Sequence, residues 1–388
     1  TTATTIFYLS SLFFRGAAMR VIFDKTELSD AIDRVQRAAQ AKITSNTNNG
    51  YFIAAENGKV ELQANDYTIG IKTSCPAMIE EEGIIVIAAS QLQSTIRMMP
   101  AGDIVMEKKK EENMVSFTCG SYFARFPTRD INEFPEVKEM EHTNHATVSC
   151  QDFKEMTGQV SFATASDKQK PLFTGVLFEV DQYRFIMAAT NTHRLAAKEI
   201  TLPEEASAKG RFVVSGSILS DVVRLLPDED GSTVEISWSK NHVAFTFGST
   251  YFITSLLNGE YPDYHRVIPT HHDALVTVNV HDFQEAVRFV SPISSGVDYH
   301  TINFIFHEDV VEIYEEDPAI GRSSTSIPIK LEGEPIKITY NCNYIEDILK
   351  HSEGETVILH LQKNGPLLVE QEEDKAYQYV VTPMRGRH

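Results

Sequence analysis

Any chemistry in this chain would have to come from a few polar clusters. His271 and His272 stand side by side with Asp273 next to them, which is half of a metal-ligand set. Metal sites normally show further ligands at recognisable spacing. None follows here, so the segment reads as a solvated loop. Glu80-Glu81-Glu82 and Glu372-Glu373-Asp374 are acidic runs, which turns explain better than carboxylate catalysis does. His193 could serve a hydrolase or transferase if a carboxylate joined it, but nothing in its spacing supplies one. The chain has no Gly-x-x-x-x-Gly-Lys-[Ser/Thr], no His-Glu-x-x-His and no Gly-x-Ser-x-Gly, and no Gly-x-Gly-x-x-Gly follows a strand. The expectation is therefore no catalytic residue, no metal and no cofactor.

Composition points the same way. With 388 residues, 42% hydrophobic and 23% charged, the chain is globular. No apolar run approaches the ~18–20 residues that span a bilayer, so no membrane partner is expected. Cys75, Cys119, Cys150 and Cys342 lie far apart, which fits a reducing cytoplasm. The 54 Asp and Glu outnumber the 35 Lys and Arg, for a net charge of −19. That excess argues against a nucleic-acid binder until the positions of the cations are considered.

The elements that must position these residues repeat three times. Leu92 to Pro100 (LQSTIRMMP) matches Leu219 to Pro227 (LSDVVRLLP) at an offset of 127 residues. Phe134-Pro135 and Tyr261-Pro262 are separated by the same 127. A third, weaker copy places Ile345 to Lys350 at an offset of 126. Upstream of each lies another helical pattern: Leu28, Ile32, Val35; Phe153, Thr157, Val160; and Phe283, Val287, Val290. That spacing gives one apolar stripe on an amphipathic helix. Runs such as Thr233-Val-Glu-Ile-Ser-Trp alternate with period two, as half-buried strands do. The predicted fold is α+β, with three similar tandem domains at 19–143, 144–271 and 272–388. Residues 1–18 read as a leader, or a segment translated from upstream, ahead of Met19.

Both helices of every unit carry positive charge. The first helices supply Arg34, Arg37, Lys154 and Arg288, and the second supply Arg97, Arg224 and Lys350. Facing one surface, they would form a basic ladder suited to phosphates.

Longer stretches carry a resemblance. Phe162 to Val176 (FATASDKQKPLFTGV), Ala189 to Ala196 (ATNTHRLA), Asn258 to Tyr264 (NGEYPDY) and Tyr379 to Arg385 (YVVTPMR) resemble the bacterial DNA polymerase III beta subunit family, the replicative sliding clamps. The likeness runs over about residues 19–385. It implies a head-to-tail homodimeric ring around duplex DNA, with helices lining the pore and sheets outside. Twelve helices at ~9 Å spacing, each ~11 Å thick, leave a bore of about 23 Å. The implied activity is processivity by tethering the polymerase III alpha subunit, with the clamp loader and repair polymerases as further partners through short linear peptides.

Carried over by position, the resemblance places Lys42 with the seven basic residues above in the pore. It assigns Phe173, Thr190, Thr192, His193, Arg194, Leu195, Pro262, Arg266, Val267, Asn341, Tyr344, Val380, Val381, Thr382, Pro383, Met384 and Arg385 to a peptide pocket. It gives Phe123, Pro292 and Ile293 to the dimer interface, joined by sheet edges. The sequence departs from the family pattern in three places. Asn191 and Thr192 stand where Asp and Gly are usual, and the turn there is expected to want φ > 0. Thr382 replaces a Met, and Ser45 to Gly50 replaces a Pro-Ile-Leu. A diverged accessory clamp, or a scaffold never loaded on DNA, is the alternative.

Overall fold

The computed structural model describes residues 18–39, 50–141, 143–167, 169–294, 300–352, 354–372 and 374–384. Lys42, Arg385, residues 45–49 and nearly all of the proposed leader lie outside these. Among the described residues no helix is long and apolar enough to cross a membrane.

Among the described residues six α-helices appear where the periodicity predicts them: α1 (Lys25–Val35), α2 (Ala89–Met98), α3 (Cys150–Ser161), α4 (Gly216–Leu225), α5 (Val280–Ser294) and α6 (Cys342–Lys350). Each continues directly from a strand: Met19–Asp24, Gly83–Ala88, Asn144–Ser149, Gly210–Ser215, Ala274–Asn279 and Ile336–Asn341. The first residue of α4 follows that of α2 by 127 positions, and α6 follows α4 by 126, the offsets of the sequence repeat.

Capping explains three of the starts. Asp24 Oδ1 accepts the Thr26 N–H at 2.7 Å, Ser149 Oγ accepts that of Asp152 at 2.9 Å, and Asn341 Oδ1 accepts that of Tyr344 at 3.3 Å. The predicted stripes are the buried faces. Leu28, Ile32, Val35, Phe153, Thr157, Val160, Phe283, Val287 and Val290 are all buried. Each large apolar side chain among them contributes about 1.5–3 kcal/mol.

The described residues pack as two compact units. One holds the chain up to His145 together with Arg224–Ser255. The other holds Ala146–Val223 together with Leu256–His388.

In the first unit, a five-stranded antiparallel sheet runs in the order Met78–Glu81, Met19–Asp24, Asp103–Lys108, Met114–Cys119, Tyr122–Pro127. In a second sheet Thr250–Ser255 pairs with Ile69–Cys75, Thr250 opposite Thr73 and Phe252 opposite Ile71. This sheet thus joins segments far apart in sequence.

In the second unit, nine strands run in the order Gly210–Ser215, Gly175–Asp181, Arg184–Thr190, Arg194–Thr201, Tyr377–Val381, Leu367–Gln371, Thr356–Leu361, Ala274–Asn279, Lys330–Gly333. A four-stranded sheet adds Gly321–Pro328, Val310–Asp317, Thr301–Phe306 and Ile336–Asn341. The C-terminal strand therefore lies against Arg194–Thr201, with Leu195 opposite Val380 and Arg194 opposite Val381.

Candidate functional site

The residues assigned to the peptide pocket fall in the second unit, on the strand pair ending at Thr190 and Arg194, the short helix Pro171–Thr174, the turn Tyr264–Val267 and the C-terminal strand. The turn is built by side chains. Asn191 Oδ1 accepts the N–H groups of His193 and Arg194, both at 3.0 Å. Thr190 Oγ1 accepts the Thr192 N–H at 3.1 Å and donates to the Arg194 carbonyl at 2.6 Å. Thr192 sits at φ 79°. A β-branched residue thus occupies the left-handed conformation that the sequence suggested for this position.

Behind the turn lies an apolar floor. Leu177, Ile186, Leu195, Tyr261, Tyr264, Leu368 and Val380 belong to one buried cluster, with Leu172, Phe173, Leu257 and Ile268 packed half-buried against it. Phe173 meets Tyr261 edge-on, ring centres 5.8 Å apart. The Tyr261 hydroxyl accepts the Thr190 N–H at 3.0 Å, and burial pushes its pKa up to about 12. At the rim, Pro262, Arg266 and Val267 are exposed, as is His193. Arg266 Nε donates to Asp263 Oδ2 at 3.1 Å. Hydrogen bonds from His265 and then Arg266 hold the Asp263 carboxyl below its usual range.

Of the assigned pocket residues, Phe173, Leu195 and Val380 come together in or against one cluster, and Thr190 joins them through Tyr261. Others have structural employment. The Arg194 guanidinium donates to Asp347 and to the Phe162 carbonyl, and lies 4.7 Å from the centre of the Tyr344 ring and 5.3 Å from that of Phe162. It is a pin holding the turn to α6. Asn341 caps α6, and Val381 is wholly buried strand core. Tyr344 receives a hydrogen bond from Asn191 Nδ2 at 3.2 Å. Thr382 bonds the His193 carbonyl, and the Met384 N–H donates to the Thr339 carbonyl at 2.8 Å, with Pro383 between them half-buried.

Sequence reasoning missed Leu172, Tyr261, Ile268 and Leu368. The adjacency of Leu172 to Phe173, and of Tyr261 to Pro262, was the available signal. A cleft of about 760 Å³ in the first unit, lined by Lys72, Ser74, Glu139, Thr250 and Tyr251 among others, contains none of the assigned residues.

The cations of the basic ladder lie mostly at helix ends. Arg34, Arg97, Arg224 and Lys350 lie in last turns, where a cation also complements the helix dipole. Arg37 is on the 3-10 turn Gln36–Ala39, past the end of α1. Arg97 bonds Asp33 Oδ1 at 3.0 Å. Lys154 lies mid-way along α3, and Arg288 is exposed on α5. The six helices together carry seven Lys and Arg against ten Asp and Glu, so the set is net acidic, although α2 carries Arg97 with no acidic residue and α4 is balanced.

Of the residues assigned to the interface, Phe123 is 66% exposed on Tyr122–Pro127, the end strand of its sheet, and Tyr122 beside it is 54% exposed. Pro292 is exposed and Ile293 half-buried near the end of α5. Phe289, one turn earlier and 63% exposed, was missed. Gly321–Pro328, which packs against α5, is likewise an end strand.

Comparison with known proteins matches the chain in three consecutive blocks. The N-terminal, central and C-terminal domain models of the DNA polymerase III beta subunit fit residues 19–138, 147–263 and 265–385. A beta sliding clamp of Streptococcus pneumoniae is 26% identical over 87% of this chain and 89% of its own. The crystal structure of the Thermotoga maritima DNA polymerase III beta subunit superposes with TM-score 0.86 at 25% identity, over 95% of this chain and all of the other. The Bacillus subtilis sliding clamp shares the fold at TM-score 0.90 and 23% identity, over 96% of this chain and 100% of the other. Three beta-subunit domains in tandem, laid over the repeat that the helices and strands display, leave one assignment: the chain belongs to the DNA polymerase III beta subunit family, the sliding clamps.

Proposed function

We propose that two copies of this chain close head to tail into a ring around duplex DNA and tether a replicative polymerase to it. The observation that carries this is the ordered run of three beta-subunit domain matches, which covers the strand–helix repeat from end to end. The domains are taken as 19–143, 144–271 and 272–388, and the site of action as the cytoplasm. Closure joins the end strand Tyr122–Pro127 of one copy to Gly321–Pro328 of the next, with Phe123 packing against Phe289, Pro292 and Ile293. Each strand ends its sheet among the described residues, with Tyr122 and Phe123 exposed on the first and Phe289 exposed on the helix that packs against the second.

The hold on DNA is topological. Arg34, Arg37, Lys42, Arg97, Lys154, Arg224, Arg288 and Lys350 make loose phosphate contacts that let the ring slide. Because the helices are net acidic, these contacts add little affinity on their own. The floor around Phe173 and Leu195 takes the apolar end of a short linear peptide from the polymerase III alpha subunit, the clamp loader or a repair polymerase.

The test combines sedimentation with retention on DNA after loading. The chain should sediment at twice its mass and stay on circular DNA until the circle is cut. Phe123→Asp should halve the mass, Arg97→Glu with Arg224→Glu should abolish sliding, and Phe173→Ala should weaken peptide capture. A monomer at micromolar concentration would overturn the ring.

The acidic balance of the helices favours one second reading, a diverged accessory clamp or scaffold. For a scaffold never loaded on DNA, the double charge reversal changes nothing while partner binding persists.

A further inference from the structure

His272, exposed in the segment leading into the strand Ala274–Asn279, lies against a second histidine. Its Nδ1 lies 3.3 Å from Nδ1 of His360, the rings edge to face with centres 5.1 Å apart. His360 is on the strand Thr356–Leu361, opposite Leu275, and its Nε2 meets Glu370 Oε2 at 2.9 Å from the neighbouring strand. A carboxylate there accepts a hydrogen bond from Nε2–H, which leaves Nδ1 of His360 as a lone pair aimed at His272.

The spacing is informative. An N–H···O hydrogen bond prefers about 2.9–3.0 Å, and 3.3 Å between two ring nitrogens is at the long end for a direct hydrogen bond. Two imidazole nitrogens bound at ~2.0–2.1 Å to a tetrahedral centre stand about 3.3–3.4 Å apart. A carboxylate on the far nitrogen of a ligand histidine is the arrangement that orients such ligands and raises their basicity.

The backbone around the pair is already fixed. Gln362 Nε2 donates to the His271 carbonyl at 2.7 Å, the Asp273 N–H to the Leu361 carbonyl at 2.8 Å, and the Lys363 N–H to Asp273 Oδ2 at 2.8 Å. His272 is thereby held on both sides, and little ordering is left for a ligand to impose. Asp273 and Glu370 bias the surroundings toward a cation, against the single charge of Lys363, which Glu334 engages.

We propose that His272 and His360 form a two-nitrogen site for a late first-row divalent cation, Zn²⁺ foremost, with Glu370 as a positioning residue. No group of three or more His, Cys, Asp or Glu converges among the described residues, so water completes the coordination. Imidazole ligands suit Zn²⁺, Ni²⁺ and Cu²⁺ and exclude Mg²⁺ and Ca²⁺. Once bound, the ion clips the segment 270–273 to the sheet behind it.

The experiment is calorimetric titration of the full, untagged, chelator-stripped chain with ZnCl₂, repeated with Co²⁺ to read its visible ligand-field bands. One Zn²⁺ per chain is expected, with the affinity lost in His272→Ala and in His360→Ala. Glu370→Gln should weaken it about 10–100-fold, and Zn²⁺ should raise the melting temperature of the parent chain but not of His272→Ala. Should His360→Ala fail to fold, His272→Ala decides alone, because His272 is exposed and off the strands. Zn²⁺ binding that is absent in the parent chain, or unchanged in His272→Ala, overturns the site.

Discussion

Thr382 Oγ1 donates to the carbonyl oxygen of His193 at 3.1 Å, and the Thr382 N–H reaches the same oxygen at 2.9 Å. The three departures from the clamp signature at Asn191, Thr192 and Thr382 are therefore one assembly. Asn191 shapes the turn, Thr192 takes its left-handed position, and Thr382 ties the C-terminal segment to the carbonyl that follows. Thr382→Val keeps the shape and the backbone bond but removes the hydroxyl. It should lower unfolding stability by about 0.5–1 kcal/mol, read as a shift in urea midpoint with unchanged slope. No shift would mean that water serves the carbonyl equally well.

Thr192 at φ 79° predicts a gain from substitution. The left-handed region costs an L-residue about 1–2 kcal/mol, and a β-branched one at the upper end. Glycine gives back part of that through its freer unfolded chain. Thr192→Gly should stabilise the protein by about 0.5–1 kcal/mol, seen as a raised melting temperature. A lowered one would show that the Thr side chain makes compensating contacts.

Arg194 pins the turn to α6 through Asp347, the Phe162 carbonyl and two aromatic faces. Its side chain is 9% exposed, whereas that of Asp347 is 37% exposed, so the carboxylate can rehydrate when the arginine is lost. Arg194→Ala should therefore cost about 2–3 kcal/mol, below the range for a fully buried pair. Lysine should not rescue it, because it has no planar face to lie against the two rings and no fork to reach Asp347 and the Phe162 carbonyl from two separate nitrogens. Chemical denaturation of Arg194→Ala and Arg194→Lys checks both statements; full recovery in the lysine variant would contradict the stacking role.

Burial pushes the Cys75 thiol up to about 12 and the Cys342 thiol up to about 11. In the unfolded chain a thiol titrates near ~8.5. Above that pH the unfolded state releases protons that the folded state retains, so stability is complete below ~8.5 and falls as pH rises toward the folded values. Urea midpoints measured under reducing conditions should drop from pH ~8.5 to ~10, and Cys75→Ala with Cys342→Ala should flatten that part of the drop. All four cysteines are free and buried, so a thiol reagent should label them only on unfolding.

The helices were legible because their signal is local. Leu28, Ile32 and Val35, or Phe283, Val287 and Val290, announce a buried stripe whatever they pack against. The strand–helix repeat was legible for the same reason, since both periodicities are written within a dozen residues. The site was legible in part. Leu195 and Val380 meet only through the pairing of the C-terminal strand with Arg194–Thr201, which joins residues separated by nearly the whole second half of the chain, and Phe173 packs against them from the short helix Pro171–Thr174.

Residue types and spacing alone determined that this is an α+β chain of three similar units with helices bearing scattered cations. The left-handed turn at Thr192 was implied by the family resemblance, in which Gly is usual there. Tertiary structure decided what each polar side chain does. It turned Arg194 inward as a pin, engaged Arg97 with Asp33, and set His272 beside His360. The physical reason is that a stripe of buried side chains is a property of one segment, whereas a hydrogen bond or an ion pair belongs to two. Its second member is chosen only when the chain has folded.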